Sequence, residues 1–161
     1  MTYTAAANNP SQALTIFKKL DVDEQLALLW LVYKKMGDSI TTAAPGAASS
    51  EITAGLYEQV KALEQPQQLD AMRAIAQGDQ SSQISREYGS LSSNTKLAFW
   101  YYLAQGMDSG EIVPMPDDYK LPNQGNDLLA ALETMDFESQ ITVLRNAADS
   151  MGSEPASGSA V

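Results

Sequence analysis

The sequence predicts an all-α fold, with eight or nine helices in two related bundles. Three observations lead there. Apolar residues recur at helical spacing along most of the chain, and no stretch alternates as a half-buried strand would. Residues 91–107, LSSNTKLAFWYYLAQGM, hold seven consecutive apolar or aromatic positions from Leu97 to Leu103. One buried stripe needs only three or four apolar positions per two turns, so this helix is expected to be buried on several sides. Third, the stretch has an echo. Residues 20–36, LDVDEQLALLWLVYKKM, align with it at an offset of 71, matching Leu20 to Leu91, Leu26 to Leu97, Ala27 to Ala98 and Met36 to Met107. QLDAMR at 68–73 lies 72 residues before QITVLR at 140–145. Two segments repeating at one spacing suggest a duplicated unit of about seventy residues.

The elements follow in order. Residues 1–10 are small and polar and are expected to form a flexible arm. Ser11 is placed to cap a short helix over 12–20. Asp21 or Asp23 caps the next, which runs through Trp30 and Tyr33 and is expected to stop at Gly37. TTAAPGAA at 41–48 contains Pro-Gly and reads as a turn close to something buried. Ser49 or Ser50 starts a helix to Leu63, with Ile52, Leu56, Val60 and Leu63 on one face. Pro66 restarts the chain into a helix over 67–77, and 81–88 is a short amphipathic segment. Ser92 or Ser93 caps the aromatic helix. Residues 110–125 carry Pro114, Pro116 and Pro122 and read as an ordered loop anchored by Ile112, Val113, Met115 and Tyr119. Two further helices are marked by Leu128, Leu129 and Leu132, then by Ile141, Val143 and Leu144. The helical domain spans 11–152, and 153–161, SEPASGSAV, reads as a disordered tail.

Charge and composition exclude several functions. Twenty acidic residues against ten basic give a net charge of −10, which argues against nucleic acid and against an anionic membrane surface. The chain has no histidine and no cysteine. Ser-His-Asp chemistry, His-ligated metals, Zn–thiolate sites and disulfides are therefore excluded, and no enzyme is expected. No apolar run of about twenty residues marks a membrane span. The first residues lack the basic region and apolar core of a signal peptide, so a cytoplasmic protein is expected.

Residues 23–49, DEQLALLWLVYKKMGDSITTAAPGAAS, 94–101, NTKLAFWY, and 140–147, QITVLRNA, are long and idiosyncratic. They resemble the N-terminal, carotenoid-binding domain of the orange carotenoid protein, and most closely its stand-alone relatives, the helical carotenoid proteins. The resemblance covers residues 11–152 and implies two interleaved, pseudo-duplicated four-helix bundles. It also implies one non-covalently bound keto-carotenoid (canthaxanthin, echinenone or 3'-hydroxyechinenone) along their interface. The tunnel residues it implies are Leu26, Trp30, Tyr33, Gly46, Met72, Leu97, Trp100, Tyr101, Met107, Met115, Tyr119 and Thr142. These types suit a rigid apolar polyene: aromatic rings stack on a terminal ring, methionines fill irregular gaps, and a glycine lets backbone approach. By the same resemblance, Asn94 has a structural role and Arg145 contacts a partner, the phycobilisome antenna. Chloride binding, a location at the phycobilisome or thylakoid, and a separate homologue of the family's C-terminal domain as partner are further family-level implications. Arg73 and Leu91 depart from the family pattern at the tunnel mouth. The chain ends at Val161, so the family's C-terminal sensor domain is expected to be absent and a light switch within this chain is not expected.

The plain reading of an aromatic helix is core packing, and that of Arg145 is an intrahelical pair with Asp149 four residues on. Against these stand the implied activities: singlet-oxygen quenching, quenching of phycobilisome excitation, or carriage of pigment to a partner protein. A helical adaptor with no ligand is the remaining class.

Overall fold

The computed structural model describes residues 9–47, 50–116 and 119–152, with side chains over 9–36, 53–116 and 119–152. The expected arm, apart from residues 9 and 10, and the expected tail lie outside the described residues. Eight α-helices and no strand occur among those described: α1 (Pro10–Lys19), α2 (Val22–Ala47), α3 (Ser50–Lys61), α4 (Gln65–Gln77), α5 (Gln83–Gly89), α6 (Ser93–Ser109), α7 (Asn123–Thr134) and α8 (Phe137–Asp149).

The helix starts follow from short polar side chains that accept orphan backbone donors. Asn9, not Ser11, caps α1, its Oδ1 accepting from Gln12 N at 2.9 Å. The helix therefore begins two residues earlier than expected, with Pro10 in its first turn. Asp21 and Glu24 exchange backbone-to-carboxylate bonds, both 2.9 Å, and so open α2. Ser92 caps α6, accepting from Thr95 N at 3.2 Å, and Asp136 caps α8. The bond from Ser139 N–H holds the Asp136 carboxyl below the usual carboxylate range.

Two expected breaks in α2 are corrected. The helix does not stop at Gly37; it runs on to Ala47 and carries Pro45 and Gly46 in its last turn. A glycine inside a helix costs only about 1 kcal/mol and stops it only where the backbone turns left-handed. Pro45 stands only two residues before the helix end, so the chain beyond it in α2 is just Gly46 and Ala47. True glycine stops occur at Gly78 (φ 69°) after α4 and Gly110 (φ 92°) after α6.

The centre of the molecule is α6, which packs against α2, α3 and α8. Leu97, Ala98, Phe99, Trp100, Leu103 and Ala104 are all buried. Each large apolar side chain so buried contributes about 1.5–3 kcal/mol. The close approach of α3 depends on Gly106, where a Cβ would overlap the Tyr57 hydroxyl and crowd Ile112. The Pro-rich loop after α6 ends earlier than expected, because α7 already begins at Asn123. Ile112 is fully buried, and its N–H bonds Gly106 O at 3.0 Å. Gln68 of α4, itself buried, clamps this loop: Nε2 donates to Glu111 O at 3.0 Å and Oε1 accepts from Val113 N at 2.8 Å. The amide thus replaces a strand partner for an irregular backbone.

Candidate functional site

A cavity of about 250 Å³ lies among α2, α4, α6, α8 and the proline loop. Ten of the expected residues meet on its wall: Leu26, Trp30, Tyr33, Met72, Leu97, Trp100, Tyr101, Met107, Met115 and Tyr119. Gly46 lies outside the residues whose side-chain surroundings are described. Thr142 is not on the wall; its hydroxyl donates to Glu138 O one turn back at 2.9 Å, the usual fate of a helical threonine.

The wall also includes residues not expected at the tunnel, among them Leu29, Leu69, Val113, Pro114, Pro116 and Leu144. The repeat held the signal for two of them. Leu29 stands 71 before Trp100, and Leu144 stands 72 after Met72. Equivalent positions from both repeats line the cavity: Leu26 with Leu97, Leu29 with Trp100, Trp30 with Tyr101, Val32 with Leu103, Tyr33 with Ala104, and Met72 with Leu144.

The lining on α2 runs from Asp23 to Tyr33, ten residue steps or about 15 Å at 1.5 Å per residue. One end is polar. Arg73 grips Asp23 with two bonds, Nε to Oδ1 at 2.9 Å and Nη2 to Oδ2 at 3.1 Å, which raises the guanidinium pKa further. Burial, then the negative charges of Asp21, Glu24 and Asp23, raises the Tyr119 hydroxyl above the ordinary phenol range. The other end is aromatic. Trp30 stacks on Tyr33 at 5.7 Å with 25° between ring planes, and Tyr33 meets Tyr101 edge-on at 5.6 Å. The Lys34 ammonium lies 5.3 Å from the centre of the Trp30 ring. Between the ends the wall is aliphatic, aromatic and thioether. Such a site offers dispersion and stacking to a long apolar molecule.

Arg145 and Asn94 lie off this wall and meet each other, Arg145 Nη1 donating to Asn94 Oδ1 at 3.3 Å. The expected partner of Arg145, Asp149, is taken instead by Lys96 at 3.0 Å, a contact between helices and not within one. Among the described residues, no helix is long and apolar enough to cross a membrane.

Residues 3–154 match the family described as "Orange carotenoid protein, N-terminal". An orange carotenoid-binding domain-containing protein from Nostoc sp. is 47% identical over 145 residues, covering 90% of this chain and 84% of that one. The orange carotenoid-binding protein of Limnospira maxima is 40% identical over 149 residues, but the chain spans only 47% of its length. The structure of the Anabaena (Nostoc) sp. red carotenoid protein binding canthaxanthin superposes with a TM-score of 0.81 at 46% identity, covering 90% of this chain and 99% of that one. The orange carotenoid protein of the same organism, also binding canthaxanthin, superposes at 0.81 with 35% identity over 90% of this chain and 47% of its own. The chain therefore belongs to the orange carotenoid protein N-terminal domain family.

Proposed function

We propose that this chain binds one keto-carotenoid non-covalently in the cavity and acts in photoprotection, quenching singlet oxygen and, on docking, phycobilisome excitation. The observation that carries the reading is the wall itself: a largely apolar lining about 15 Å long on α2, drawn from both repeats and aromatic at one end, in a relative of proteins whose structures bind canthaxanthin. A keto-carotenoid is longer than this lining, so the reading has its ends reach beyond the cavity. The pigment brings the photochemistry; the protein holds the polyene and sets its environment. The chain is a binding protein and not an enzyme.

The same reading includes two interleaved four-helix bundles related by the repeat. Two features support it. The paired wall positions come from both halves, and Gln68 and Gln140 reach back alike. Gln68 Nε2 meets Lys61 O at the end of α3, and Gln140 Nε2 meets Leu132 O near the end of α7. Arg145, on the outer edge of α8, is assigned to the antenna partner, because an acidic chain has few other cations to offer. Expression with and without a keto-carotenoid pathway tests the function. The reading expects a coloured protein only in the first case, with singlet-oxygen quenching far above that of the colourless protein. A colourless product in both would overturn it.

A further inference from the structure

Behind Trp100 lies a chain of buried polar groups that the cavity wall does not need for its shape. Trp100 Nε1 donates to the Tyr88 hydroxyl at 2.8 Å, and that hydroxyl donates to Ala148 O of α8. Tyr88 is completely buried, and burial raises its hydroxyl well above the ordinary phenol range, so the proton stays in place to make the second bond. Its ring meets Phe99 edge-on at 5.7 Å and Trp100 at 6.2 Å. Lys96, 6% exposed, sets its ammonium 5.6 Å from the centre of the same ring and 3.0 Å from the Asp149 carboxylate. On the remaining side Gly152 presses on the ring so closely that a Cβ there would strike Tyr88 Cδ1. Gly152 is itself held by its N–H to Ile75 O at 2.7 Å.

Each member has a cost that only the others offset. An indole N–H or a hydroxyl buried without a partner costs about 1–3 kcal/mol. A buried ammonium needs both a carboxylate and a polarisable face. Phenylalanines at 88 and 100 with a methionine at 96 would fill most of the same space and leave no side-chain polar atom to satisfy. What the polar chain adds is a fixed rotation for one side chain that faces the cavity. We propose that Tyr88 is a positioning residue: its hydroxyl sets the rotation of the Trp100 indole, and Lys96 and Gly152 lock Tyr88, so that the wall facing the ligand is rigid before the ligand arrives. Rigid walls gain affinity because less ordering remains to be done on binding.

The test uses the full chain. In the unsubstituted protein, the Trp100 indole N–H exchanges with deuterium at least tenfold more slowly than that of Trp30; equal rates overturn the proposal whatever any variant does. In a Trp30→Phe background, where Trp100 is the lone tryptophan and is excited selectively at the red edge of the protein band, Tyr88→Phe keeps the ring and removes the acceptor. The ligand-free variant is expected to keep its far-UV circular dichroism, to emit at longer wavelength and to be quenched by acrylamide at least twofold more strongly. Unchanged emission and quenching overturn the proposal. The ligand arm rests on the carotenoid reading and uses canthaxanthin: Tyr88→Phe is expected to bind it about five- to twentyfold more weakly, with a displaced absorption band. Failure of canthaxanthin to bind the unsubstituted chain defeats the carotenoid reading alone, while exchange and emission still decide the role of Tyr88.

Discussion

The offsets of 71 and 72 superpose two pairs of residues that the fold uses differently. Arg73 of α4 reaches Asp23 in the first turn of α2, and Arg145 of α8 reaches Asn94 in the first turn of α6. The architecture is shared: an arginine on a later helix ties down the start of the aromatic helix of its own half. The chemistry is not. Asp23 cancels the charge of Arg73 through two parallel bonds, the fork geometry that suits a guanidinium best. Asn94 gives Arg145 a single neutral acceptor at 3.3 Å and leaves its charge uncompensated by that contact. The first pair lies on the cavity wall and the second lies off it. One acid-to-amide difference separates a closed internal tie from a guanidinium that still has charge to offer outside the chain.

Breaking the pairs in parallel gives the largest contrast. Arg145→Leu is expected to abolish quenching of phycobilisome fluorescence while pigment binding and singlet-oxygen quenching stay intact. Arg73→Leu is expected to leave antenna quenching in place. Intact quenching in the first variant, or pigment lost from it, contradicts the division of labour.

The same repeat sharpens the view of the wall. Trp100 and Leu29 are equivalent by offset and both line the cavity, but Trp100 is the ring tied from behind. Trp100→Ser is expected to lower pigment occupancy at least tenfold with helicity retained. Leu29→Ser, at the edge of the core, is expected to cost much less. Equal losses, read from the ratio of visible to protein absorbance, would make the two halves interchangeable.

A smaller contrast concerns the glutamines. Gln68→Ala strands the Val113 N–H and the Glu111 C=O in a partly buried loop and is expected to destabilise the fold by about 2–3 kcal/mol. Gln140→Ala removes one bond to Leu132 O and is expected to cost about 1 kcal/mol. Urea midpoints measure both. The smallest effect is Asp23→Asn, which remakes the first pair in the image of the second. It breaks an ion pair about half exposed and is expected to cost about 0.5 kcal/mol.

What the sequence made legible was what periodicity and repetition carry. The aromatic run at 97–103 announced a helix buried on several sides, and α6 is that helix. The offset paired α2 with α6, and equivalent positions of the two line one cavity. What escaped was polar. Glutamine and lysine read as surface residues, yet Gln68 and Lys96 are buried, because each meets partners more than forty residues away that no local pattern announces. The stop at Gly37 failed for the opposite reason. A glycine permits a left-handed turn without requiring one, and α2 runs on to Ala47. Thr142 came by resemblance alone, and its hydroxyl turns back to its own helix.

The central claim is that the cavity built from both repeats is the seat of the pigment. A crystal structure of the chain loaded with canthaxanthin tests it most directly. The account predicts continuous density for the polyene between α2 and α6, in contact with Leu26, Met72 and Trp100. Density for the pigment elsewhere on the molecule, with these side chains closed on one another, would contradict it.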